Sequence, residues 1–148
     1  CSLTTLIRLG YVTMGDLTEA RVWLEQVVVE QAAQNRTDED LRRLEENVRQ
    51  SEEIVAQGVI PRKVNLDFHV LLAEAAKNPI FVMLIESLMG VLRKFLEEQS
   101  PDLDYIATVS VSHRRIYEAI RDGNSEKAKA ALLEHLLDVD RHMSSLVE

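Results

Sequence analysis

Apolar residues recur at three- and four-residue spacing along almost the whole chain, and no stretch keeps the strict alternation of a strand. The pattern predicts a short helix from about Ser2 to Leu9, closed by Gly10, then a second capped by Thr18 and running to about Gln34. Thr37 and Asp40 have the spacing of a capping box and open a third helix to about Ala56, which Gly58 follows. Pro61 starts a fourth, to about Lys77. Asn78 caps a fifth with Pro79 in its first position, and Ser100 and Pro101 end it. A sixth runs from about Leu103 to Arg121 and stops at Gly123, and Ser125 opens a seventh. The connections are short, so neighbouring helices pack antiparallel. The expectation is one all-α domain over residues 1–148, an antiparallel bundle of about seven helices.

The fifth helix departs from the one-sided pattern. Phe81, Leu84, Leu88 and Leu92 mark one stripe, and Val82, Ile85 and Met89 mark another. A helix apolar on both sides is either central in its own bundle or covered by a partner. The second stripe is expected to face a second copy of the chain in a homodimer.

Three stripes contain a histidine. Asn65, His69, Leu72, Ala73 and Ala76 share a face of the fourth helix. Ile106, Val109, His113, Ile116 and Ile120 share one of the sixth, and Ala128, Ala131, His135, Val139 and His142 one of the seventh. A buried polar group without a partner costs a few kcal/mol. One such histidine reads as a satisfied core residue; three on inward faces can meet at one point, and neutral imidazoles suit Zn²⁺, Ni²⁺ or Mn²⁺. Asn65, one turn before His69, can add an oxygen. Asp67 points roughly 200° away from His69 and reads as solvated. His142 lies roughly 10.5 Å along the axis from His135, too far to share an ion.

The second helix places Arg21 on a stripe with Leu17, Leu24 and Val28, where an apolar residue is expected. Either Glu25, one turn on, pairs with it, or its guanidinium faces a cavity and grips a carboxylate. The spacing leaves both open.

Composition narrows the partners. The chain has 148 residues, 46% hydrophobic and 28% charged, with 17 Lys and Arg against 25 Asp and Glu for a net charge of −8. Such an acidic surface does not hold DNA by neutralising phosphates. The lone cysteine, Cys1, excludes an internal disulfide and suits a reducing, cytoplasmic setting. No apolar run approaches the roughly 18 residues needed to cross a bilayer, so no membrane partner is expected. The first residue is not methionine, and an upstream domain absent from this chain is expected.

Three segments carry a family resemblance: EARVWLEQVVVEQAAQNRTDEDL, NLDFHVLLAEAAKNP and SHRRIYEAIRDGNSEKAKAALLEHL. In this order and spacing they resemble the C-terminal effector-binding (FCD) domain of FadR-type transcription regulators of the GntR superfamily, from about Asp16 to beyond His135. The resemblance implies a ligand-sensing bundle that follows a winged helix-turn-helix, the only part expected to touch DNA. It implies metal ligands at Asn65, His69, His113 and His135, and a small organic carboxylate or sugar acid that completes the coordination. Arg21 matches the family arginine that holds the effector's carboxylate. Asn65 stands where the family most often has aspartate, and a neutral oxygen holds a metal less firmly while leaving the site more attractive to an anion.

The expected function is therefore the effector-binding and dimerisation domain of a metabolite-responsive regulator, and not an enzyme. The alternative is a metal-dependent hydrolase using the three histidines to activate water. Against it stands the lack of a general base on any histidine-bearing stripe, since the carboxylates cluster on outward faces.

Overall fold

The computed structural model describes residues 2–100 and 102–146, so Cys1 and the expected break at Pro101 lie outside the described residues. Among the described residues seven helices follow in chain order: α1 (Leu3–Arg8), α2 (Met14–Asn35), α3 (Asp38–Ala56), α4 (Arg62–Ala75), α5 (Pro79–Glu97), α6 (Leu103–Arg121) and α7 (Ser125–Ser145). The chain is an all-α bundle. α2 lies against α7, α4 and α5, while α3 packs on α4 and α6, and α6 on α7. None of these helices is long and apolar enough to cross a membrane.

The caps show why the helices begin where they do. Thr37 and Asp40 form the expected capping box, and Asn78 caps α5 through the backbone N–H of Ile80. α2 begins earlier than expected. Thr13 and Asp16 make a second capping box, so Thr18 is not the cap. The Thr18 hydroxyl donates instead to Asp140 of α7 at 2.8 Å, tying the two helices together. α4 ends at Ala75 rather than Lys77, because Lys77 adopts a left-handed conformation with φ 65° and turns the chain into α5. Its ammonium pairs with the Asp40 carboxylate, which stabilises a backbone conformation that costs a lysine about 1 kcal/mol or more.

The core collects one face of every helix from α2 to α7, with Val29, Ala32, Leu44, Phe68, Ile85 and Leu132 among its fully buried members. α5 is apolar on both sides, but its faces are divided otherwise than the pattern suggested. Ile85 and Met89, expected to meet a partner, are buried within the chain's own core, and Val82 is half-buried against it. The outward apolar residues are Ile80, Met83 and Leu84, at 58%, 61% and 46% exposure. The two stripes overlap around the cylinder, so period alone does not say which of them the neighbours α2 and α4 cover.

Met89→Glu is expected to cost on the order of 4 kcal/mol, the scale of an emptied core site with a carboxyl forced into it. Urea unfolding followed by circular dichroism measures this, and an unchanged midpoint would place Met89 outside the core.

Candidate metal and anion site

α4, α6 and α7 each turn one histidine into the same region. His69, His113 and His135 are all buried, and their nearest ring nitrogens lie within 4.8 Å of one another. His113 Nε2 and His135 Nε2 are 3.2 Å apart. Two nitrogens bound to one ion at 2.0–2.1 Å stand about 3.0–3.4 Å apart, so this spacing suits a shared divalent ion. The His69 and His135 rings are nearly parallel, 15° between planes, and His113 meets both edge-on. Phe68 stacks on the back of His113 at 4.1 Å and fixes its tilt.

Burial pushes the pKa of His113 and His135 well below the usual histidine value, and the neighbouring imidazoles and Arg21 push the same way. Both rings are therefore neutral at pH 7, the form that ligates a metal. His113 Nδ1 is buried with no hydrogen-bond partner. That orphaned atom, costing about 1–3 kcal/mol, marks a ring held for the sake of its other nitrogen. The donor set fits a divalent cation.

α2 supplies the charge. Arg21 is 2% exposed and Glu25, one turn later, 1%. Arg21 Nε donates to Glu25 Oε2 at 2.6 Å, and Arg21 Nη2 lies 3.4 Å from His69 Nε2. His69 Nδ1–H donates to the other Glu25 oxygen. Burial by itself would raise the Glu25 pKa, but the Arg21 charge and the hydrogen bonds donated by His69 and Arg21 outweigh it and hold the carboxyl well below the usual carboxylate range. Arg21 pairs with Glu25, the first of its two readings, and it also lines a cavity.

Glu25 is the residue that sequence reasoning undervalued. The expectation that carboxylates face outward fails at Glu25 and at Asp40, both buried. The signal was present, because residues 17, 21, 25, 28 and 32 follow one helical line. Leu24, placed on that line instead, is only half-buried. Glu25 does not rescue a hydrolase, since both its oxygens are engaged and it does not line the cavity.

Asn65 sits on the expected face of α4, yet its Oδ1 accepts from Ser51, at 2.7 Å, and Ser51 bonds Ser110 of α6. The structure therefore brings the three histidines together and engages the Asn65 oxygen with Ser51. Asp67 is solvated and paired with Lys63, as expected. His142 is apart from the cluster, stacked on Tyr105 at 3.6 Å.

The cluster closes one end of a cavity of about 80 Å³, several times the volume that one water needs. Its walls are apolar, including Leu66, Leu92, Ile106 and Val109. Its polar lining holds Arg21, Arg62, Asn65, Gln99, Tyr105 and the histidines, and no carboxylate among the described residues. Arg62 is exposed and donates to the Gln99 carbonyl at 3.3 Å, marking the solvent side. Such a cavity favours a small anion with an apolar body.

Residues 16–138 match the sequence profile of the FCD domain. The HTH-type transcriptional regulator LutR of Bacillus subtilis is 32% identical over 137 residues, covering 89% of this chain and 63% of that protein. The HTH-type transcriptional repressor NanR of Klebsiella aerogenes is 32% identical over 126 residues, covering 82% of this chain and 47% of that protein. The solved structure of Streptococcus agalactiae GntR superposes with a TM-score of 0.77 at 28% identity, over 87% of this chain and 58% of that one. The chain thus spans about half to two thirds of the length of these proteins.

The buried groups set a pH dependence. Below pH 6.5 the unfolded chain takes up protons at His113 and His135 that the folded chain refuses, so stability falls as pH falls. The expected slope for metal-free protein is about 2.7 kcal/mol per pH unit once both are protonated in the unfolded state. Glu25 has a depressed pKa, so its contribution is present above pH 4.5 and is lost as pH falls toward 2. Urea midpoints between pH 8 and 5 in the presence of a chelator check this, and a flat profile would contradict neutral, buried imidazoles.

Proposed function

The chain belongs to the FCD domain family, and on that footing we propose that it is the effector-binding and dimerisation domain of a metabolite-responsive bacterial transcription regulator. One observation carries the reading: a cavity with no carboxylate among the described residues of its lining, where a buried arginine meets three neutral or hydrogen-bonded imidazoles. The resemblance to named transcription regulators supports a sensing role over a catalytic one. DNA contact belongs to a winged helix-turn-helix outside this chain, since the net charge of −8 disfavours binding by these residues.

The effector is a small organic carboxylate or sugar acid, its acid group held by Arg21 in a charge-assisted pair. His69, His113 and His135 would hold a divalent ion such as Zn²⁺, Ni²⁺ or Mn²⁺, whose charge adds to the attraction for an anion. Asn65 joins them if its amide turns over, giving Ser51 a nitrogen and the site an oxygen. O and N of this group are interchangeable in shape, so the turn is a small change. Effector binding would bias dimer arrangements that hold the DNA-reading domains differently. The second copy is expected on α5, where Ile80, Met83 and Leu84 stand exposed.

The pure domain should take up about one Zn²⁺ per chain, and the His69→Ala, His113→Ala, His135→Ala triple variant should take up none. Elemental analysis decides, and wild-type metal content in the variant would move the site elsewhere. Arg21→Gln should weaken binding of organic acids by on the order of 10-fold or more, the scale of a lost charge-assisted bond. Calorimetry with a panel of such acids reads it, and an unchanged affinity would remove Arg21 from the effector. Met83→Glu with Leu84→Glu should halve the mass seen by light scattering with helicity kept. An unchanged dimer would put the interface on another face.

A further inference from the structure

Arg21 serves two groups at once. Its Nε donates to Glu25 Oε2 at 2.6 Å while its Nη2 approaches His69 Nε2 at 3.4 Å. The second Glu25 oxygen takes the Nδ1–H of that same imidazole. Guanidinium, carboxylate and imidazole close a ring of three contacts, and none of the three residues is more than 3% exposed. With its proton on Nδ1, a neutral imidazole carries its lone pair on Nε2. One lone pair serves one partner, and this is the one His69 would contribute beside His113 and His135.

We propose that Arg21 guards His69 and that Glu25 is the positioning residue holding the two in register. His69 gives Nε2 either to Arg21 Nη2 or to a divalent ion, and only in the second case does the Arg21 Nη2 turn free toward the cavity. This rests on the proposed metal reading and adds to it a link between the two halves of the site. Glu25 keeps Arg21 Nε in both states, so the guanidinium pivots about a fixed bond and does not leave the core. Because coupling between two ligands is reciprocal, an anion that draws Nη2 into the cavity also frees His69 for the metal. The carboxylate on Nδ1 does a second thing: it makes Nε2 a stronger donor, as outer partners of metal-bound histidines do.

The test uses Zn²⁺ alone, added without any organic acid to chain that has been stripped of metal with a chelator. Side-chain ¹⁵N resonances of Arg21, identified by their loss in Arg21→Lys, are followed through the titration. The Nη signals should shift in step with one bound Zn²⁺ while the Nε signal keeps the position of a bond to Glu25. Nη signals that stay fixed while Zn²⁺ binds at the histidines would overturn the guard and leave the metal reading standing. No Zn²⁺ binding at all would overturn both. Two variants add opposite signs: Glu25→Gln should lower Zn²⁺ affinity by about 10- to 100-fold, and Arg21→Gln should raise it, on the order of 10-fold. A merely structural ion pair would lower it in both, and weaker Zn²⁺ binding in folded Arg21→Gln would overturn the proposal. Where a variant fails to fold, the wild-type titration decides alone.

Discussion

A guanidinium inside a helical bundle cannot shed its charge, and the rest of the site is arranged around that constraint. Arg21 is almost fully buried, and Glu25 is the anion that balances it. Removing one partner of such a pair costs about 3–5 kcal/mol, yet the pair as a whole stabilises little compared with apolar residues of the same volume. Its presence in the core is therefore poorly explained by stability. It is well explained by position: the carboxylate also takes His69 Nδ1–H, which leaves the opposite nitrogen of that ring clear of the carboxylate, against Arg21 Nη2. One turn of α2 thus orients a side chain on α4.

The cavity is lined by two arginines, Arg21 and Arg62, while the chain as a whole carries a net charge of −8. The carboxylates that make the chain acidic are mostly on the surface, paired with arginines and lysines across α3, α4 and α6. Solvent and salt screen them over roughly 8–10 Å. Among the described residues no carboxylate lines the cavity, and Arg21 is balanced by Glu25. The acidic surface therefore does not decide which charge the cavity accepts.

The buried hydroxyls extend the same logic away from the charge. Ser51 on α3 and Ser110 on α6 bond one another, and Ser51 also holds the Asn65 amide. Three helices, α3, α4 and α6, thus share polar contacts beside the cavity. Each contact is satisfied by a group from another helix, so the site exists only when the helices have docked.

Much of this was legible in the sequence. The 3.6-residue period put His69, His113 and His135 on inward faces, because a helix that buries a stripe buries whatever lies on it, and short connections brought those faces together. Arg21 showed itself as a charge on an apolar line. Glu25 lay on that same line but was given a lesser part, since a sequence read helix by helix cannot show that its second oxygen meets a ring 44 residues away. The same limit applied to α5, apolar all round, where only the packed neighbours separate Ile85 and Met89 from Met83 and Leu84. At Asn65 the residue and its face were readable, but the direction of its oxygen was set by Ser51 on another helix. Local periodicity by itself determined the helices, the inward faces and the candidate imidazoles. Tertiary structure alone decided which polar atoms meet, because hydrogen bonds between helices depend on docking geometry that no single helix contains.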